Sequence, residues 1–268
     1  MDTSPGQAAA AGGRIIVEAH DIKKRFGNVW ALRGASLSLR EAAVTAVVGD
    51  NGAGKSTLIK CMSGLHVPDS GYLAVDGKRV SIGSAEEARK TGIETVYQDL
   101  ALVDQLTVAQ NLFLNRETVR SFGPLRLLDR RGMRLSAMQM LAELRIDVPS
   151  VTAKAKYLSG GQRQGVAISR AVHWGKRLVI LDEPTAALGV KETAQAERMI
   201  ARLPENGTAV LMISHSIDQV MRLASVVWVM RAGRVVGGLE TASTTHEQIV
   251  SLITGAATNG VGSNGTGK

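Results

Sequence analysis

Apolar and polar positions follow two rhythms along this chain. Residues 15–19 and 35–39 read as strands of an antiparallel edge layer. Residues 44–48 form an apolar, strand-sized run that leads straight into a glycine turn, and residues 55–63 then read as a helix with Gly64 at its C-terminal end. Residues 72–75 and 79–82 flank Asp76-Gly77, the dipeptide favoured in tight hairpins. Another strand is expected at 93–97. From about residue 99 to 174 strand signals vanish, and Leu, Met, Arg, Glu and Ala recur at helical spacing over 131–144. Strands return at 178–181, 209–213 and 225–230, with helices at 191–203 and 217–223 between them.

Strands that alternate with helices predict an α/β fold, a mainly parallel sheet covered on both faces. The expected organisation is one domain over residues 14–255. Its core spans 14–98 and 175–255, and an α-helical subdomain is inserted at 99–174. The segments 1–13 and 256–268, rich in Gly, Ala, Asn, Ser and Thr, are expected to be disordered. No internal repeat is visible, so a single unit is expected.

Composition narrows the class. Aromatic residues make up only 3% of the chain, so the core must be aliphatic. No apolar run approaches the roughly 20 residues that span a bilayer, and residues 1–13 lack the apolar segment of a signal peptide. A cytosolic location follows as an expectation. The single cysteine, Cys61, has no internal disulfide partner and reads as a small core residue on a helix. The formal net charge is +8, with local basic runs at 23–25 and 126–134. No zinc-finger spacing, basic zipper or RNA-binding signature accompanies them. A solvated basic surface is expected, and no nucleic-acid partner.

Candidate chemistry begins at Gly49-Asp50-Asn51-Gly52-Ala53-Gly54-Lys55-Ser56, which fits the phosphate-binding pattern of a glycine, four residues, then Gly-Lys-Ser. The context fits, since an apolar strand precedes it and a helix follows. Glycines admit backbone turns closed to other residues, which brings N–H groups close to phosphate, and the helix N-terminus adds partial positive charge. Lys55 is placed to reach the β- and γ-phosphates, Ser56 to ligate Mg²⁺, and Thr57 to support the α-phosphate. Residues 177–183 form an apolar strand that ends in Asp182 and Glu183. Such a strand is expected to lie beside the 44–48 strand, with both acids at the carboxyl edge of the sheet, where ligands bind. Asp182 suits the Mg²⁺ shell and Glu183 the polarisation of an attacking water.

A second phosphate-shaped element follows the same logic. In Leu158-Ser159-Gly160-Gly161-Gln162, Ser159 is a natural helix N-cap and two glycines expose N–H groups. One chain needs only one phosphate grip. A head-to-tail pair of copies would set each Ser159–Gln162 against the nucleotide of the other.

This element resembles the signature of the ABC ATPase family, in the order that family has, over about residues 14–255. The resemblance implies a RecA-like P-loop NTPase core and ATP with Mg²⁺ as the bound species. It also implies an ATP-dependent homodimer that powers a membrane permease. Phe26 resembles the aromatic that stacks on adenine, with Trp30 close enough to compete. Gln98 resembles the glutamine that touches Mg²⁺ or the attacking water, and His215 the switch histidine at the γ-phosphate. Gly189 stands where the family usually has aspartate. The 186–190 run and the phosphate loop are similar to bacterial importers of ribose, xylose and fructose. That branch implies a peripheral position on the cytoplasmic face of the inner membrane and an extracytoplasmic sugar-binding protein acting indirectly. Another transporter class, or an ABC ATPase acting on ribosomes or DNA, stands as the alternative.

Overall fold

The computed structural model describes residues 13–122, 125–186 and 188–256. The two terminal segments expected to be disordered lie outside these residues, apart from Gly13 and Ala256.

The edge layer is a four-stranded antiparallel sheet in the order β2-β1-β4-β5. β1 (Ile15–Phe26) and β2 (Val29–Arg40) each run twelve residues, well beyond the stretches their patterns mark. A bulge explains the difference. Asp21 sits at φ 48° and the β1–β2 register shifts between Ala19 and Ile22. That extra residue resets the alternation, so the polar 23–25 run continues a strand whose Ile22 is fully buried. β4 (Ser70–Val75) and β5 (Lys78–Val80) join through Asp76 and Gly77, both at positive φ, as the dipeptide demands.

The second sheet carries the chemistry. It contains β3 (Val44–Val48), β6 (Ile93–Val96), β9 (Leu178–Asp182), β10 (Ala209–Ile213), β11 (Val226–Arg231) and β12 (Arg234–Glu240). Their order is β12-β11-β3-β10-β9-β6, and every pairing is parallel except that of β12. The expectation that the 177–183 strand adjoins β3 is therefore corrected, because β10 lies between them. All three strands are apolar runs buried on both faces, so periodicity could not rank them. β12 leaves no clear strand signal in the sequence because Gly237 and Gly238 dilute its pattern. Gly238 makes room for Trp228, whose ring would meet a Cβ there at 2.3 Å.

Helices cover both faces. α1 (Lys55–Met62) packs on one side together with the antiparallel sheet. On the other side lie α3 (Val108–Leu112), α4 (Arg130–Glu143), α5 (Gly160–Trp174), α6 (Val190–Arg202) and α7 (Ile217–Leu223). α2 (Ala85–Lys90) precedes β6, and α8 (His246–Thr254) ends the described chain. Neighbouring residues of one strand feed opposite cores. Leu178, Ile180 and Leu211 face α1, while Val179, Leu181 and Met212 face the helical side.

The inserted 99–174 region is not purely helical, which corrects the second expectation. It holds a hairpin of β7 (Val119–Phe122) and β8 (Leu125–Leu128), paired antiparallel. Gly123-Pro124, a breaker pair, separates the two strands. The two strands are four residues each, too short to stand out between helical patterns.

Cys61 lies on α1 at 1% exposure, and burial pushes its thiol pKa up to about 11. Its thiolate is therefore scarce at neutral pH. In the native chain a disulfide reagent such as dithionitrobenzoate should leave Cys61 unmodified at pH 8, and in guanidinium it should label the one thiol per chain. Equal rates in both conditions would contradict the buried placement.

Candidate nucleotide site

β3 is buried along its whole length and passes directly into the glycine loop. Gly49, Gly52 and Gly54 take φ of 151°, 81° and 103°. At Gly49 the chain passes hard against β11, and a Cβ would stand 2.2 Å from the Met230 carbonyl oxygen. Gly54 is the N-cap of α1, and no side chain caps that helix. The first N–H groups of α1 thus face the loop opening, where an anion would complete them. Lys55 opens the helix at 5% exposure, and its Nζ donates to the carbonyls of Gly49 at 2.7 Å and Asp50 at 2.9 Å. Burial lowers its pKa, while the carboxylates of Glu183, Asp50 and Asp182 act the other way.

A cavity of about 340 Å³ opens over this loop, lined by residues 29–31 and 51–57 with Glu183 and His215. Strand register brings these groups together. Val47 pairs with Ile213 of β10, and Ile213 pairs with Asp182 of β9. The strands therefore end at one level, and Gly49, Asp182, Glu183 and His215 emerge from the same edge. Glu183 sits at φ 50°, held by its N–H donating to the Ile213 carbonyl at 3.2 Å. A left-handed glutamate costs about 1–2 kcal/mol, a strain that aims its carboxylate at His215, with Oε1 2.6 Å from Nε2. Burial raises the Asp182 pKa and Glu183 adds to the rise, against Lys60, Lys55 and His215.

Ser56 and Thr57 line the cavity; Gln98, Phe26, Asp182 and residues 159–162 are not in its lining. Gln98 is exposed, two residues past the end of β6. Phe26 and Trp30 are both half-exposed on the β1–β2 hairpin. Phe26 meets His66 edge-on at 5.2 Å, whereas Trp30 faces the cavity. Ser159 caps α5 in a reciprocal box. Its hydroxyl accepts from the Gln162 N–H at 3.3 Å, and Gln162 Oε1 accepts from the Ser159 N–H at 3.0 Å. Ser159 and Gly160 are exposed. Gly189 caps α6 without a side-chain bond, and a Cβ there would lie 2.7 Å from Glu192 Oε2. An aspartate at 189 would meet that carboxylate.

Two supporting residues escaped the sequence reading. Arg170, on α5, donates to the carbonyls of Ala101 at 3.0 Å and Leu100 at 3.1 Å. Both acceptors sit at positive φ just beyond Gln98. Burial lowers the Arg170 pKa and the Glu94 carboxylate offsets this. Asn111 is fully buried and clamps the same loop, accepting from the Val103 N–H at 2.8 Å and donating to the carbonyls of Val103, Leu106 and Thr107. One arginine and one asparagine within helical patterns look like solvated surface, and only tertiary contact reveals them.

The tight passage at Gly49 is open to test. Gly49→Ala should lower the melting temperature by several degrees, a cost of roughly 1–3 kcal/mol, and weaken ATP binding in calorimetry by on the order of tenfold or more. Wild-type values for both would show that the loop has room to relax.

Comparison with known proteins bears on this site. The family model described as ABC transporter matches residues 32–186. The xylose/arabinose import ATP-binding protein XylG of Sulfolobus acidocaldarius is 40% identical over 242 residues, covering 90% of this chain and 95% of that protein. The fructose import ATP-binding protein FrcA of Rhizobium meliloti is 42% identical over 246 residues, covering 90% and 94%. The ribose import ATP-binding protein RbsA 1 of Rubrobacter xylanophilus is 42% identical over 242 residues, and the match covers 90% of this chain and 47% of that longer protein. Among solved structures, the ADP conformation of MJ1267, an ATP-binding cassette of an ABC transporter, superposes with a TM-score of 0.74 at 26% identity, covering 90% of this chain and 95% of that one. With the phosphate loop, the acidic strand end and the histidine at one sheet edge, the chain belongs to the ABC transporter family as an ATP-binding cassette.

Proposed function

We propose that this chain hydrolyses ATP to power the import of a monosaccharide, working as a pair of copies on a membrane permease. The observation that carries the reading is the Glu183–His215 contact at the mouth of the glycine loop, 2.6 Å long. It occurs in a chain 40–42% identical to import ATP-binding proteins for xylose/arabinose, fructose and ribose.

The phosphates of ATP seat on the N–H groups of residues 49–57. Lys55 exchanges its two carbonyl partners for β- and γ-phosphate oxygens. The adenine rests on the β1–β2 hairpin, against Phe26 or Trp30. Glu183 takes the proton of the attacking water, whose oxygen bonds to the γ-phosphorus as the bond to ADP breaks. His215 holds the Glu183 carboxylate in line and, with Lys55, offsets the charge that grows on the phosphoryl oxygens. Mg²⁺ fits the residues present. Ser56, Gln98 and Asp182 supply the oxygen donors that a hard cation takes, and a cation relieves the burial of Asp182 beside Glu183. Among the described residues no cluster of three or more His, Cys, Asp or Glu could hold a metal unaided. That suits an ion which nucleotide phosphates help to hold. When bound, the ion would neutralise phosphate charge.

The exposed start of α5 at residues 159–162 completes the opposite site when two copies pair head to tail. ATP favours the closed pair, and loss of the γ-phosphate bridge lets it open. Residues 99–114, clamped by Arg170 and Asn111, form the surface that receives the permease. No helix among the described residues is long and apolar enough to cross a membrane. The likeness to import ATP-binding proteins supports a peripheral subunit on the cytoplasmic face of the inner membrane. An extracytoplasmic sugar-binding protein would act on it indirectly, through the permease.

Glu183→Gln tests the chemistry. Turnover should fall by on the order of a hundredfold or more, with ATP affinity within about threefold of wild type. Unchanged phosphate release would overturn the assignment of Glu183 as the base.

A further inference from the structure

One basic run plays no part in the nucleotide site. Between residues 119 and 140 the chain carries five arginines, Arg120, Arg126, Arg130, Arg131 and Arg134, against a single acid, Asp129. Those 22 residues contribute +4 of a net charge of +8. Asp129 is already committed. It caps α4 by accepting from the Gly132 N–H, and it accepts from Arg120 Nε at 2.7 Å. Among the described residues, Arg120 alone of the five forms an ion pair, and the other four arginines are exposed.

Apolar side chains stand among these charges. Among the described residues the β7–β8 hairpin pairs with no other strand, and Val119, Arg120, Arg126, Leu127 and Leu128 are all exposed, so both of its faces meet solvent. An arm of two strands buries little by itself. The Arg120–Asp129 pair fastens its base to the start of α4. That helix is apolar on two sides. Met133, Ala137, Met140 and Leu141 are buried in the core. Arg131, Arg134, Leu135 and Met138 occupy an arc of about 100° on the outer side, and Leu135 and Met138 are each 56% exposed there. Arginine interleaved with Leu and Met on one outward face is the pattern of a segment that lies at a membrane interface.

We propose that the β7–β8 arm and the outer face of α4 rest on the anionic headgroups of a lipid bilayer. The guanidinium groups meet lipid phosphates, while Leu127, Leu135 and Met138 reach toward the acyl boundary. Charge complementarity selects this occupant. The uncompensated arginines are spread over arm and helix, as a laterally fluid anionic surface accommodates and a single acidic groove does not. Such a contact gives the chain a hold on the membrane separate from any permease, and it needs neither ATP nor catalysis.

The test uses the full-length chain, sedimented with vesicles of phosphatidylglycerol and phosphatidylcholine or of phosphatidylcholine alone, with no permease present. Wild type should pellet with the anionic vesicles and release as salt rises. Each arginine near such a surface strengthens attachment about fivefold, so Arg126→Glu/Arg131→Glu/Arg134→Glu should weaken binding by at least about tenfold. Lys78→Glu/Lys176→Glu/Arg198→Glu makes the same charge change elsewhere and should shift it by less than about threefold. Should the arm variant misfold by circular dichroism, Arg126→Gln/Arg131→Gln/Arg134→Gln and Leu135→Ser/Met138→Ser replace it, and each should also weaken attachment. Equal losses from arm and control variants would reduce the effect to net charge and overturn the proposal. Absence of vesicle binding, with the arm needed instead to capture a purified permease, would overturn it too. ATPase activity of each variant in solution is a separate readout, so failure of the transport reading would leave this test intact.

Discussion

The chemistry of this chain depends on three parallel strands stopping at one level. Val47, Ile213 and Asp182 stand in register across β3, β10 and β9. The pairing leaves the glycine loop, His215 and the two acids to emerge side by side. The strands can do this because they are buried on both faces. Apolar cores on either side forbid a one-residue slip, which would exchange the residues facing each core. Strain is then concentrated where the strands end. The Gly49 backbone runs against Met230, and Glu183 adopts a left-handed turn to face His215. Elements that are over-determined by packing can hold such conformations.

Much of this was legible in the residues. The 44–48, 209–213 and 217–223 segments fall where their patterns place them, and the α5 helix starts at its Ser159 cap. These are the segments where apolar pattern, cap chemistry and turn residues all agree. What stayed hidden is physical as well. Strand order within a buried sheet leaves no periodic trace, so β10 could not be seen to part β3 from β9. A bulge at Asp21 shifted the alternation of β1 and disguised half of it. Arg170 and Asn111 act through backbone carbonyls far along the chain, and no local spacing announces a tertiary hydrogen bond.

The candidate site divides in the same way. Lys55, Glu183 and His215 converge within one chain, as their motifs imply. Residues 159–162 do not join them. Their capping box is complete and faces outward, at the exposed start of a different helix. The hairpin arm, in turn, has charge and apolar surface that neither the nucleotide nor the core uses. Under the proposed function the cassette grips ATP, a second copy and a membrane-bound partner, and those tasks would fall on separate faces. On that proposal the sheet edge would hold the nucleotide, and the inserted region would carry the surfaces for the partners.

Under the proposed function, one chain holds half of a working site and a second copy supplies the rest. The most direct measurement is the solution mass of the Glu183→Gln chain by light scattering, with and without ATP. Saturating ATP should double the mass, and adding Ser159→Arg should keep the chain single while nucleotide still binds. A chain that stays single with ATP bound, or a pair indifferent to the Ser159 change, would rule out a site shared between two copies.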